Sequence, residues 1–315
     1  MSSKQESLFS RAVPVFMKSF GRLHPDKFFY VIWREGKGGG MFSNVFHVLA
    51  HIAYARDLGL TPVVDMKHFP GLYNEPEKIK GTFNAWEYYF MQPSAQTLDE
   101  VYKSRRAVFC HGSGNAAFAA YHDFDKARHT AARQLKPQAY VAAMVEDFNR
   151  EHFAGQKVLG VHFRGQEMKQ APGHPVPPTE EQMLERVRLL LKKLPIDIIF
   201  IVSEDQGHVD LFYEHFGARV RSSPAFRTYG ENAYLMRPYP REQHMYRLGL
   251  EVLVDALLLA RCDYLLAGGY GGLAFGSGVS MAAQIFKDGQ YEHLELIYNG
   301  IQPGGPGQQG FINFM

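Results

Sequence analysis

The sequence predicts an α/β protein built on doubly wound, mostly parallel sheets, and three observations carry that expectation. The second half alternates apolar runs of strand length with amphipathic runs of helix length. Its strand candidates are continuously apolar rather than alternating, as suits strands covered on both faces. Near the amino terminus a strand, a glycine-rich loop, a helix and a second strand follow without interruption.

Taken in order, Met1–Lys27 carries a weak amphipathic pattern through Phe9, Val13, Phe16, Met17 and Phe20, which predicts a short helix over the first sheet. Phe28–Trp33 (FFYVIW) predicts a strand. It runs into Arg34-Glu35-Gly36-Lys37-Gly38-Gly39-Gly40 and then into Met41–Leu58. There Val45, Val48, Leu49, Ile52 and Ala53 form one apolar helical stripe, and Gly59 supplies the stop. Thr61–Met66 predicts the next strand. The glycine run fits neither a dinucleotide fingerprint nor a P-loop ending in Lys-Ser/Thr. Gly38, Gly39 and Gly40, with Asn44 just beyond, suit a loop that approaches a sugar or phosphate, or an ordinary tight turn.

Phe83, Trp86, Tyr88, Tyr89 and Phe90 form an aromatic cluster, read first as core. Thr97–Lys103 predicts a helix, Ala107–Cys110 a strand, and the alanine-rich Ala116–Asn149 a mainly helical stretch. The polar segment between Asp147 and Lys157 then marks a domain boundary, giving domains 1–150 and 151–315.

In the second domain Val158–Lys169 (VLGVHFRGQEMK) begins as a buried strand and ends in a cationic, glycine-containing tip. His162, Arg164, Gln166 and Glu167 fall where that strand leaves the sheet, the place where open α/β sheets bind ligands. Thr179–Lys193 predicts a helix, acidic in its first turn and basic in its last. Asp197–Val202 predicts a strand ending in Ser203-Glu204-Asp205, and Gly207–Phe216 a helix. Ala218–Arg221 predicts a short strand, Arg241–Ala260 a long helix, Asp263–Leu266 a strand and Leu273–Phe286 a helix. Gly268–Gly272 makes a glycine-rich turn between the last two.

Several function classes are disfavoured at this stage. A formal charge of +2 neither demands nucleic acid nor excludes an anionic ligand. No stretch reaches the ~18–20 apolar residues of a membrane span. Met1–Glu6 is polar and no leader peptide is evident, which favours a cytoplasmic protein and leaves peripheral association with a membrane surface open. Cys110 and Cys262 sit in apolar surroundings and read as buried thiols. There is no GxSxG elbow, HExxH or paired-cysteine motif. His47 and His51, four residues apart, could share a helix face. They lack a well-spaced third ligand, so no metal site is expected.

The chemistry instead gathers after the strands of the second half. An arginine presents a permanently charged fork to a phosphate or carboxylate. Glycines allow close backbone approach, and a following helix offers amide hydrogens to an anion. Together these suit a diphosphate. Asp255, within the apolar VLVDALLLA, is costly to bury unless it is paired or hydrogen-bonded.

HFRGQE, IVSED and EVLVDALLLARCDYLLAGGYGGLAFGSG resemble, in order and spacing, the donor-binding motifs of the fucosyltransferase superfamily of α-1,2-, α-1,6- and protein O-fucosyltransferases. Bacterial members similar to the rhizobial nodulation-factor enzyme come nearest. GGGMFSNVFHVLAHIAYARDLGLTPVVD is similar to the corresponding amino-terminal loop and helix. The resemblance implies a GT-B arrangement, two Rossmann-like domains facing across a cleft, with the acceptor side in 1–150 and the donor side in 151–315. It implies inverting transfer from a GDP-sugar, GDP-fucose first, to a glycan or glycolipid hydroxyl, with no cofactor and no required metal. Arg164 matches the catalytic arginine, His162 the histidine near the nucleotide and Asp255 the base-recognising aspartate. Gly268, Gly269, Gly271, Gly272 and Ser277 match the phosphate-holding region, and Glu35 and Glu167 are the general-base candidates. Two positions depart from the pattern. Gln166-Glu167 replaces a threonine and aspartate, and Gly271-Gly272 stands where serines are usual.

Overall fold

A computed structural model describes residues 16–36, 39–110, 124–164, 175–230, 241–269 and 277–300. The chain divides into two units, Met1–Ala142 with Met245–Gly249, and Ala143–His244 with Leu250–Met315.

In the first unit the elements are β1 (Phe16–Lys18), β2 (Phe29–Ile32), α1 (Met41–Asp57), β3 (Thr61–Val64), α2 (Ala85–Tyr89), α3 (Leu98–Val101), β4 (Ala107–Phe109) and α4 (Phe124–Gln134). The four strands form one sheet in the order β1-β4-β2-β3. Only the β1–β4 pairing is antiparallel. All four residues of β2 are buried, because β3 and β4 flank it and apolar side chains cover it. Phe29 and Val31 join Val63, Leu98, Val101, Ala107 and Phe109 in one core. α1 directly follows the strand–loop passage, and its buried residues include Val45, Val48, Leu49, Ile52 and Ala53.

The helix expected over Met1–Lys27 is corrected within the described part. Phe16–Lys18 is an exposed strand, with the Phe16 ring stacked on Phe109 at 5.0 Å. Pairing with an open sheet edge outweighs a weak helical periodicity in so short a segment. The aromatic cluster is core: Trp86, Tyr88, Tyr89 and Phe90 are buried, whereas Phe83 is exposed.

α5 (Ala139–His152) leads into the second unit. There follow β5 (Val158–His162), α6 (Glu180–Lys193), β6 (Ile198–Val202), α7 (Gln206–Phe216), a single 3-10 turn (Gly217–Arg219), β7 (Val220–Arg221), α8 (His244–Leu259), β8 (Tyr264–Gly268), α9 (Gly278–Phe286) and β9 (His293–Ile297). All pairings in this sheet are parallel, in the order β7-β6-β5-β8-β9. Thr179 starts α6 with a capping box, accepting from the Gln182 amide while the Gln182 side chain accepts from Thr179.

Alternation along the strands sorts the two faces. Leu159, Val161, Ile199, Ile201 and Leu266 pack with Met183, Val187 and Leu190 of α6 and with Val209 and Phe212 of α7. On the other face Phe200 meets the rings of Phe148 and Phe153. Gly160 sits there too. A Cβ at that position would lie 2.9 Å from Leu259 Cδ2 and 3.0 Å from Cys262 Sγ, so α8 and the turn after it rest directly on the strand backbone. The opposite, amino-terminal edge is tied by Lys157, whose Nζ pairs with Asp263 at 3.0 Å and with Glu292. At the sheet margin β9 is half-buried throughout, and its Glu295 pairs with Arg186 and His293.

Gly160→Ala should therefore destabilise the protein by about 1–3 kcal/mol through overpacking. Urea unfolding would show a lower midpoint at an unchanged slope. An unchanged midpoint would mean that Leu259 and Cys262 can retreat.

Candidate functional site

In the second unit the strand that comes first in sequence, β5, lies between β6 and β8. The chain winds outward through β6 and β7, then returns to β8 on the other side of β5. Connections leave β5 and β8 in opposite directions, which makes the carboxyl ends of these two strands a switch point, the place where sheets of this kind bind ligands. Register places His162 beside Ala267, so the last residues of both strands share that edge.

His162 is buried there, and its Nδ1 lies 2.6 Å from Ser280 Oγ and 3.2 Å from Ser277 Oγ. Burial, helped by the neighbouring Arg164 charge, holds the imidazole down at about 3, so it is neutral at physiological pH. Arg164 follows two residues later and is half-buried. Between them Phe163 turns to the opposite face, where its ring stacks on His208 at 3.7 Å. That stack fixes the backbone on which His162 and Arg164 are carried. Ser277 is the N-cap residue of α9, and no helix amide donates to its hydroxyl. The hydroxyl contacts the histidine instead. Gly268 closes β8, and its Cβ position would lie 3.0 Å from Pro178 Cδ. Gly269 donates its N–H to the Ile297 carbonyl.

Asp255 of α8 is buried, and its Oδ1 has no hydrogen-bond partner among the described residues. Burial pushes this carboxyl up to about 6, against the opposing pull of Arg227 and a hydrogen bond from Ser223. The Arg227 guanidinium donates to the carbonyls of Ser203, Ser223 and Ala225 and to Ser223 Oγ. Arg227 and Ser223 carry no periodic signal in the sequence and were not among the expected site residues. Ser203 and Asp205 are structural. Asp205 caps α7 by accepting from the Gly207 N–H, and Ser203 Oγ accepts from the Asp205 N–H.

In the first unit, the glycine-rich loop enters α1 through Gly40, its N-cap. The Arg34 guanidinium donates to Ser43 Oγ at 2.9 Å and Asn44 Oδ1 at 2.8 Å. Asn44 in turn donates to the Gly39 carbonyl. These bonds tie Arg34 and Gly39 to the first turn of α1, and Glu35 is exposed. Glu167, Gly271, Gly272 and Gly38, together with Gln166, lie outside the described residues. The expectation that His47 and His51 lack a third metal donor is corrected. One donor atom each from His47, His51 and Cys110 lies within 4.8 Å of the others.

No helix among the described residues is long and apolar enough to cross a membrane. No family model matches the chain, and neither does any curated protein. Solved structures do match. The α-1,6-fucosyltransferase NodZ soaked with GDP-fucose aligns with a TM-score of 0.52 at 17% identity, over 82% of this chain and 93% of that one. The fucosyltransferase NodZ from Bradyrhizobium gives 0.52 at 16%, over 82% and 92%. POFUT1 in complex with GDP gives 0.51 at 10%, over 87% and 99%. The likeness is one of fold: two sheets flanked by helices, the GT-B-like pair of Rossmann-type units.

His162 and Asp255, both buried, act on stability with opposite sign. His162, lowered, stabilises fully above about 6.5, and that contribution is lost as pH falls toward about 3. Asp255, raised, stabilises fully below 3.8, and its contribution is lost as pH rises through about 6. Asp255→Asn should thus gain stability over wild type as pH rises from 4 to 8, by about 1–3 kcal/mol. Urea unfolding across that range measures it; a difference independent of pH would contradict the burial assigned to Asp255.

Proposed function

We propose that the protein is an inverting glycosyltransferase that moves fucose from GDP-fucose onto a hydroxyl of a bacterial glycan or glycolipid. One observation carries the reading: a neutral His162, held by Ser277 and Ser280 at the switch-point edge, stands two residues before the half-buried Arg164. Supporting it, solved structures of the same fold were obtained with GDP-fucose or GDP.

Arg164 offers a permanent positive charge to the diphosphate, and the amino terminus of α9, entered through Ser277 after the glycine-rich stretch Gly268, Gly269, Gly271 and Gly272, adds backbone donors. His162, neutral, contributes a dipole without competing for the anion. The unpartnered Asp255 Oδ1 accepts from a base that presents N–H groups, and guanine presents two side by side. Burying an unmatched carboxylate oxygen is costly, and a guanine edge would remove much of that cost.

In the reaction the acceptor oxygen bonds to the anomeric carbon as the bond from that carbon to the diphosphate breaks. The configuration inverts, GDP departs with the bonding pair, and the acceptor proton passes to Glu35, Glu167 or solvent. Negative charge grows on the leaving phosphate, where a preorganised guanidinium acts most strongly in the transition state. The amino-terminal unit, through Gly38, Gly39, Gly40 and Asn44, takes the acceptor side, and the carboxy-terminal unit holds the donor. No cofactor is consumed. The enzyme works in the cytoplasm, where lipid-linked acceptors would bring it to the inner membrane face.

Arg164→Ala should lower transfer by at least about 100-fold while the circular dichroism spectrum stays unchanged. Near-normal turnover by that variant would overturn the assignment. GDP should raise the melting temperature of the wild-type chain more than UDP, ADP or CMP does, and Asp255→Asn should weaken GDP binding about 10-fold or more. GDP release that needs no acceptor would mark a hydrolase instead, and binding without turnover would mark a nucleotide-binding protein.

A further inference from the structure

The first sheet has its own switch point. β2 lies between β3, which follows it, and β4, which comes later on its other side. Trp33 and Cys110 lie just past the carboxyl ends of β2 and β4; Trp33 Nε1 donates to the Cys110 carbonyl at 2.7 Å, and the Cys110 N–H to the Val31 carbonyl at 3.0 Å. Above this edge α1 presents His47 and His51, one helical turn apart, their rings 4.5 Å apart and edge to face. All three residues are buried, with no more than 3% exposure.

Each imidazole is anchored through one nitrogen only. His47 Nε2 lies 2.9 Å from the Trp33 carbonyl. A carbonyl only accepts, so Nε2 carries the proton and Nδ1 of the neutral ring bears a lone pair. His51 Nδ1 lies 2.9 Å from the Tyr30 hydroxyl. The remaining nitrogens, His47 Nδ1 and His51 Nε2, are buried and have no hydrogen-bond partner among the described residues. A buried polar atom left unmatched costs about 1–3 kcal/mol. The two fall on neighbouring rings, near a thiol that accepts from the Trp33 N–H and donates to the Trp33 carbonyl, each at 3.4 Å. The arrangement is that of metal-binding histidines, whose second nitrogen is held by a carbonyl or hydroxyl while the first is left for the ion.

We propose that His47, His51 and Cys110 bind one zinc ion, through His47 Nδ1, His51 Nε2 and the Cys110 thiolate. Two imidazoles and a thiolate suit zinc, with a fourth position left for water or another donor. Zinc–nitrogen and zinc–sulfur bonds of about 2.0–2.3 Å put tetrahedral donors about 3.3–3.7 Å apart. One nitrogen of each histidine and Cys110 Sγ lie within 4.8 Å of one another, so binding calls for a closure of at most about 1.5 Å together with adjustment of the rings. Imidazoles bind a metal as neutral rings. Cys110 must release a proton to solvent as the sulfur–zinc bond forms. The ion would pin α1 to the ends of β2 and β4, close in sequence to the Arg34–Asn44 loop. It takes no part in the sugar transfer proposed above.

The full chain, prepared without chelator or immobilised metal, would be equilibrated with zinc, dialysed and assayed for metal. About one zinc per chain is expected. Cobalt loaded in its place should give a thiolate-to-metal charge-transfer band, absent in Cys110→Ser. His51→Gln should weaken zinc binding at least about 10-fold. Should either variant misfold, the wild-type cobalt spectrum decides alone. Negligible retained zinc, or cobalt bound without a charge-transfer band, would overturn the site and leave a buried water as the occupant of that gap. These readouts are independent of turnover, so failure of the zinc site and failure of the transferase reading are told apart.

Discussion

Parallel pairing of β5 with both β6 and β8 is the constraint on which the donor-side geometry rests. Because every strand of that sheet runs the same way, all loops that follow strands emerge on one edge. A connection of this kind crosses over with fixed handedness, so windings begun in opposite directions from the middle leave their helices on opposite faces. The gap this creates is a consequence of topology before any side chain is chosen. Side chains then specialise it: His162 reaches Ser277 and Ser280 across the gap, and Gly160 lets Leu259 and Cys262 sit on the strand itself.

The second unit was more legible than the first, for a physical reason. A strand buried on both faces must be continuously apolar, and VLGVH and IIFIV declare themselves accordingly. β1 did not, because three residues on an exposed edge carry little apolar pattern of their own. β9 was missed because HLELI interleaves charged with apolar residues at a half-buried margin. α2 was missed because AWEYY is short and aromatic, and its helical form is imposed by packing.

The candidate site divides in the same way. His162 and Ser277 could be placed at neighbouring strand ends from the order of elements alone. Arg227 and Ser223 could not, since a guanidinium that caps carbonyls in an irregular segment has no periodic signature. Cys110 stands 59 residues after His51, and only the pairing of β4 with β2 brings the two together. Neighbourhoods made by non-local strand pairing are invisible to spacing rules, which see chemistry only where the chain stays local.

Among the described strands, the two at the ends of the second unit's sheet are finished differently. β7 is two residues long, too short to present a row of vacant amides and carbonyls to another chain. β9 is longer, and there Glu295, held by Arg186 and His293, stands guard. A neighbouring molecule seeking to extend the sheet would have to strip water from that carboxylate and break its ion pair. The fold thus carries its own deterrent to edge-to-edge aggregation, which matters most while a slow-forming parallel sheet is still being assembled.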